Sequence, residues 1–169
     1  MPSRRLFLAL LATTLATPSA VAAAPAGSPE AFVAAIYARI TAGDGTAGGS
    51  EFTDPTARDR WFTAPVVEMW REGDERAEKD GDIGPVDFDL LTASQDPMVR
   101  RVAVEPRGAG ADVATVRVGL FSSKKAKPGE KPYATLDFVL KRAAGGWRID
   151  DVLSRAKETW TLRELLAAP

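Results

Sequence analysis

From Ala134 to Lys141 the chain alternates, with Ala134, Leu136, Phe138 and Leu140 on one side and Thr135, Asp137 and Lys141 on the other. A period of two describes a strand with one buried face. Ala143-Ala144-Gly145-Gly146 then allows the chain to reverse, and Trp147 and Ile149 resume the apolar side. The pattern predicts a strong hairpin over residues 133–152 whose apolar face needs a cover. Two further strands are predicted upstream, at 99–105 and 113–121, with a turn at Pro106–Gly110 between them. In the second of these, Ala114, Val116, Val118 and Leu120 line one face.

The cover is predicted from the amino-terminal part. Ser28-Pro29-Glu30 carries a cap, an early proline and an acid at the positive end of a helix dipole. Phe32, Val33, Ile36, Tyr37 and Ile40 then recur at helical spacing. Residues 43–50 read as a loop. A second helical region holds Trp61 and Phe62 and, after Thr63-Ala64-Pro65, continues through Val66, Val67, Met69 and Trp70. The charged run 71–82 reads as a solvated helix end passing into a loop. Residues 86–97 mix Phe88, Leu90 and Leu91 with Asp87, Asp89, Gln95 and Asp96, and Pro97 stops any regular element there. Residues 122–132, with four lysines, two prolines and a glycine, read as a long hairpin tip. Thr161-Leu162-Arg163-Glu164 is a capping-box pattern for a short terminal helix. Helices first and about four antiparallel strands afterwards define an α+β domain with helices on one face of the sheet.

Composition narrows the chemistry. The chain has no cysteine and no histidine. Disulfides, thiol nucleophiles, imidazole bases and thiolate or imidazole metal ligands are therefore excluded, which leaves carboxylates, Lys, Tyr, Ser and Thr. Residues 1–24 read as a signal peptide: Arg4 and Arg5 precede an apolar run too short to span a bilayer, and small residues follow. Ser3-Arg4-Arg5-Leu6-Phe7-Leu8 also resembles a twin-arginine export signal, with general secretion as the alternative. Removing the leader leaves residues 25–169 as one domain with 20 bases against 23 acids. That balance does not suggest nucleic-acid binding. No later run is long enough to span a membrane, so a periplasmic or secreted address follows.

Two motifs carry a resemblance. Asp87-Phe88-Asp89-Leu90-Leu91 with Gln95-Asp96, and Gly146-Trp147-Arg148-Ile149-Asp150-Asp151, resemble an uncharacterised family of secreted bacterial proteins. That family is placed in the nuclear-transport-factor-2-like (cystatin-like) superfamily. The resemblance runs from about Pro29 to Leu153 and implies a curved sheet wrapped against helices as a cone with an interior pocket. The superfamily hosts both enzymes and binding modules, so the fold alone does not give the function.

Within that frame, strand parity places Asp151 on the side of Trp147 and Ile149, where a carboxylate could act as a base. Asp137 falls on the opposite, solvated side. Asp87, Asp89 and Asp96 depart from the calcium-loop spacing and read as turn and cap formers. Asp89, Gln95 and Asp96 nevertheless lie near the expected pocket rim. The S-x-x-K pairs Ser122/Lys125 and Ser154/Lys157 lack their companion motifs. The lysine-rich tip reads as solvated.

The expectation is an exported binding module without catalysis, taking a small amphipathic molecule or a partner protein. Its pocket contacts are Tyr37, Trp70, Asp89, Gln95, Asp96, Trp147 and Asp151. The alternatives are a carboxylate-dependent isomerase or hydrolase using Asp151, and an immunity-type inhibitor of a toxin working through the outer sheet face. No cofactor, metal, nucleic acid or membrane contact is expected after leader removal, and a homodimer is compatible with the resemblance.

Overall fold

The computed structural model describes residues 27–155 and 159–168. The signal peptide expected at 1–24, and Lys157 of the second S-x-x-K pair, lie outside the described residues. Helix α1 (Pro29–Ile40) begins where the Ser28 hydroxyl accepts the Ala31 N–H at 3.1 Å, and it buries Val33, Ile36, Tyr37 and Ile40. Two single-turn helices follow, α2 (Ser50–Thr53) and α3 (Arg58–Trp61), and then α4 (Ala64–Asp80). Strands β1 (Arg101–Ala109), β2 (Val113–Phe121), β3 (Ala134–Ala143) and β4 (Gly146–Ser154) form an open antiparallel sheet in the order β1-β2-β3-β4. Helix α5 (Leu162–Ala167) closes the domain with the expected capping box between Thr161 and Glu164. The α+β reading holds: helices come first, a meander sheet follows, and the core lies between them.

That core is filled. Tyr37, Phe52, Phe62, Phe138, Leu90, Leu91, Leu136, Leu140 and Ile149 are all at most 2% exposed. The Tyr37 ring meets Phe138 edge-on at 5.9 Å, joining α1 to the inner face of β3. The hollow implied by the cone is thus occupied by side chains from α1, α2 and the sheet.

Several boundaries differ from the sequence expectation for identifiable reasons. Helix α4 continues through the charged run to Asp80 and stops where Gly81 takes a left-handed φ of 80°. Arg71 pairs with Glu68 and Glu75 on its exposed side, while Gly73 and Ala77 are buried on the other. Strand β1 runs through the expected turn: Pro106 pairs with Val116, and a bulge at Arg107 shifts the register. β1 is an edge strand, where a proline is tolerated, above all beside a bulge. The reversal falls instead at residues 110–113, where the Gly110 N–H donates to Val113 O at 2.7 Å.

The outer face of the sheet is also less exposed than expected. Asp137 is 4% exposed, not solvated. Arg117 on β2 binds it through Nε and Nη2 at 2.6 and 2.8 Å, and Arg155 closes from the other side at 3.0 Å. Hydrogen bonding from Arg117, opposed by burial and reinforced by Arg155, holds this carboxyl below its ordinary range. Its stabilisation is complete above about pH 4, the unfolded value, and is lost as pH falls through the lower native value. Asp137→Asn should therefore flatten the acid limb of a stability–pH profile measured by urea unfolding. A limb identical to wild type would remove Asp137 from the account.

Candidate functional site

The residues expected to share one pocket are distributed over the molecule. Tyr37 is wholly buried, and its hydroxyl donates to Leu91 O at 2.7 Å. Asp89 lies nearby: Oδ1 accepts the Leu91 and Thr92 N–H groups at 3.0 and 2.9 Å, and Oδ2 accepts the Gly49 N–H. Asp89 thereby ties the 43–50 loop to the 89–94 turn. Gly48 makes the approach possible, with a φ of 66° and no Cβ, because a Cβ there would lie 2.5 Å from Asp89 Oδ2. Burial first, then Asp89, then Tyr133 push the Tyr37 hydroxyl well above its ordinary range. Tyr133 is pushed up to about 12, by burial and then by Asp89. These phenols stay protonated and serve as donors, Tyr133 to Thr92 O at 3.3 Å.

Gln95 and Asp96 are exposed on the loop beyond. Asp151 does not face the interior. A bulge in β4 makes Asp150 an extra residue, since Val139 pairs with Asp151 and Leu140 with Ile149. Parity is restored inward at Val152, and Asp151 shares the outer face with Val139. Its Oδ1 accepts the Val152 N–H at 2.9 Å and the Arg163 N–H at 3.2 Å in the first turn of α5. Burial raises its pKa, opposed by these two backbone bonds. The carboxylate acts as a helix-terminus acceptor.

Trp70 and Trp147, expected to line one pocket, border separate clefts. Trp70 is 4% exposed beside Arg58, whose guanidinium carbon lies 4.3 Å from the centre of the indole ring. Arg58 pairs with Asp74, and its Nε donates to Thr53 O. Among the described residues the Trp70 Nε1–H has no partner. The cleft here measures about 140 Å³ and is bordered by Ile83, Pro85, Val86 and Phe88.

Trp147 borders a larger groove of about 390 Å³, within the range of small-ligand sites. The loop before α1, α1 itself, α3 and the β3–β4 turn enclose it, through Gly27, Ala31, Phe32, Arg60, Trp61, Gly145, Gly146, Trp147 and Arg148. The Trp147 Nε1–H donates to Gly27 O at 3.1 Å, which fixes the ring, and Arg142 lies 4.4 Å from the ring centre. Trp61 is held by Phe52 at 4.7 Å and Phe32 at 6.2 Å. The apolar walls are therefore rigid. Arg60 and Arg148 line the same groove, and neither pairs with a carboxylate among the described residues; Arg148 Nη1 donates only to Trp147 O. Among the described residues no carboxylate lines the groove.

Of this site, sequence reasoning named Trp147 as a contact and placed Phe32 and Trp61 as apolar positions. It missed Arg60 and Arg148. The available signal was the pair of dipeptides Arg60-Trp61 and Trp147-Arg148, each setting a cation beside an aromatic ring. Among the described residues, no group of histidine, cysteine or acidic side chains could hold a metal ion. No family model, curated protein or solved structure matches the chain.

Proposed function

We propose that this chain is an exported, non-catalytic binding module whose ligand is a small amphipathic anion seated in the Trp61–Trp147 groove. One observation carries the reading: among the described residues, two arginines without acidic partners border an aromatic groove that no carboxylate lines. Aromatic walls favour a flat or branched apolar body, and a guanidinium binds a carboxylate or sulfonate through paired N–H groups. Export and a periplasmic or secreted address rest on the residue pattern at 1–24. Membership of the nuclear-transport-factor-2-like superfamily rests on the 87–96 and 146–151 motifs, and the order of helices then meander supports it. The filled interior does not, so the ligand site is assigned to the rim. Absence of catalysis is supported by how Asp89, Asp137, Asp150 and Asp151 are used, since each is engaged by backbone or side-chain donors.

The test is a fluorescence titration with naphthalene-2-carboxylate and with the neutral alcohol of the same skeleton. The anion should bind more tightly than the alcohol, and Arg148→Gln should weaken the anion by about tenfold, a loss of about 1.4 kcal/mol. Equal binding of acid and alcohol, or no effect of Arg148→Gln, would refute the reading.

A further inference from the structure

At the end of the sheet where β1 starts, the connection between β2 and β3 carries Lys124, Lys125, Lys127 and Lys131, all exposed. The only acid of that connection, Glu130, is turned inward. It pairs with Arg101 at 2.7 Å and accepts from the Ser123 hydroxyl and the Lys127 N–H. Arg101 is itself stacked on Phe121, 3.7 Å from the ring centre. Pro132 rests against Gly119, where a Cβ would come within 3.3 Å of it. The connection is thus folded back on the outer face of the sheet. Among the described residues, none of its four lysines enters an ion pair.

Two large apolar side chains emerge at the same end. Tyr133 is 44% exposed and Met98 39% exposed, and the strand ends are joined there by the bonds from Arg100 N–H to Phe121 O and from Tyr133 N–H to Leu120 O. Three acids adjoin this surface: Asp89, whose charge acts on Tyr133, Asp44, which interacts with Arg100, and the exposed Asp96. Among the described residues none of the three pairs with a lysine of the connection.

We propose that this end of the sheet is a peripheral contact surface for a bilayer rich in anionic phospholipid. Lysines act as point charges that follow a negative plane without needing a shaped pocket, and each one held close to such a surface adds to its attraction. The exposed part of the Tyr133 ring, whose hydroxyl is held by Thr92 O, and the Met98 side chain offer apolar surface at the level of the headgroups, a contact a soluble polyanion does not reward. No helix among the described residues is long and apolar enough to cross a membrane, so the contact is made from one side. This departs from the expectation of no membrane contact, and it is independent of the groove.

The experiment is flotation of the protein with vesicles of phosphatidylglycerol and phosphatidylcholine, against vesicles of phosphatidylcholine alone. The protein should float with the anionic vesicles and be released by high salt. The combined variant Lys124→Glu, Lys125→Glu and Lys127→Glu should lose at least about tenfold in partitioning with an unchanged circular dichroism spectrum. Tyr133→Ser should weaken vesicle binding while leaving binding to heparin unaltered. The proposal is overturned by equal partitioning to neutral vesicles, by full binding of the triple variant, or by heparin binding with no flotation.

Discussion

Asp150→Ala should lower the free energy of unfolding by about 3 kcal/mol, measured as a shift of the urea midpoint at unchanged slope. Asp150 is the bulge residue of β4, 6% exposed, and three elements converge on it. Thr63, which precedes α4, donates its hydroxyl at 2.8 Å; Arg163 of α5 approaches at 2.8 Å and Lys141 of β3 at 3.0 Å. Burial raises its pKa, and its bonds to Lys141 and Thr63 and the charge of Arg163 outweigh that, so the net shift is downward. Removing the carboxylate leaves a buried hydroxyl and two cations without their acceptor. Arg163 and Lys141 can partly return to water, which places the cost at the lower end for a broken buried pair. Asp150→Asn keeps the Thr63 bond and should lose roughly half as much. A midpoint within error of wild type for the alanine variant would show that this hub does not hold α4 and α5 to the sheet.

Asp89→Ala comes next, at about 2–3 kcal/mol. Three backbone N–H groups, of Gly49, Leu91 and Thr92, lose their shared acceptor at once. They lie on two loops separated in sequence by α2, α3 and α4. Ala93, in the second of these loops, sits at a φ of 50°, a conformation that persists only while its surroundings impose it. Amide hydrogen exchange should therefore rise across residues 46–49 and 91–94 in Asp89→Ala, while β2 and β3 stay protected. Uniform loss of protection over the whole sheet would contradict a local role.

These two aspartates also show what can be read from the chain and what cannot. Alternation in β2 and β3 was legible because one face is buried and side chains alternate with a fixed period. The start of α1 and the capping box of α5 were legible because local hydrogen bonds define them. The direction of Asp151 was not, since one extra residue at Asp150 reverses parity and leaves no mark in the composition of the strand. The length of α4 was hidden because a helix with charges on its exposed side is stabilised by Arg71 pairs and by buried Gly73 and Ala77, none of which raises hydrophobicity. Asp137 looked solvated because its partners, Arg117 and Arg155, are 20 and 18 residues away in sequence. The groove was half legible: Trp147 could be named, but pairing it with Trp61, Arg60 and Arg148 requires α3 to be placed beside the β3–β4 turn.

The most direct test of the binding account uses the indole N–H signals of Trp61, Trp70, Trp147 and Trp160 in a two-dimensional ¹H–¹⁵N spectrum during titration with naphthalene-2-carboxylate. The account predicts that the Trp61 and Trp147 signals move together and saturably while Trp70 and Trp160 stay in place. Movement confined to Trp70, or no saturable movement of any of the four, would contradict it.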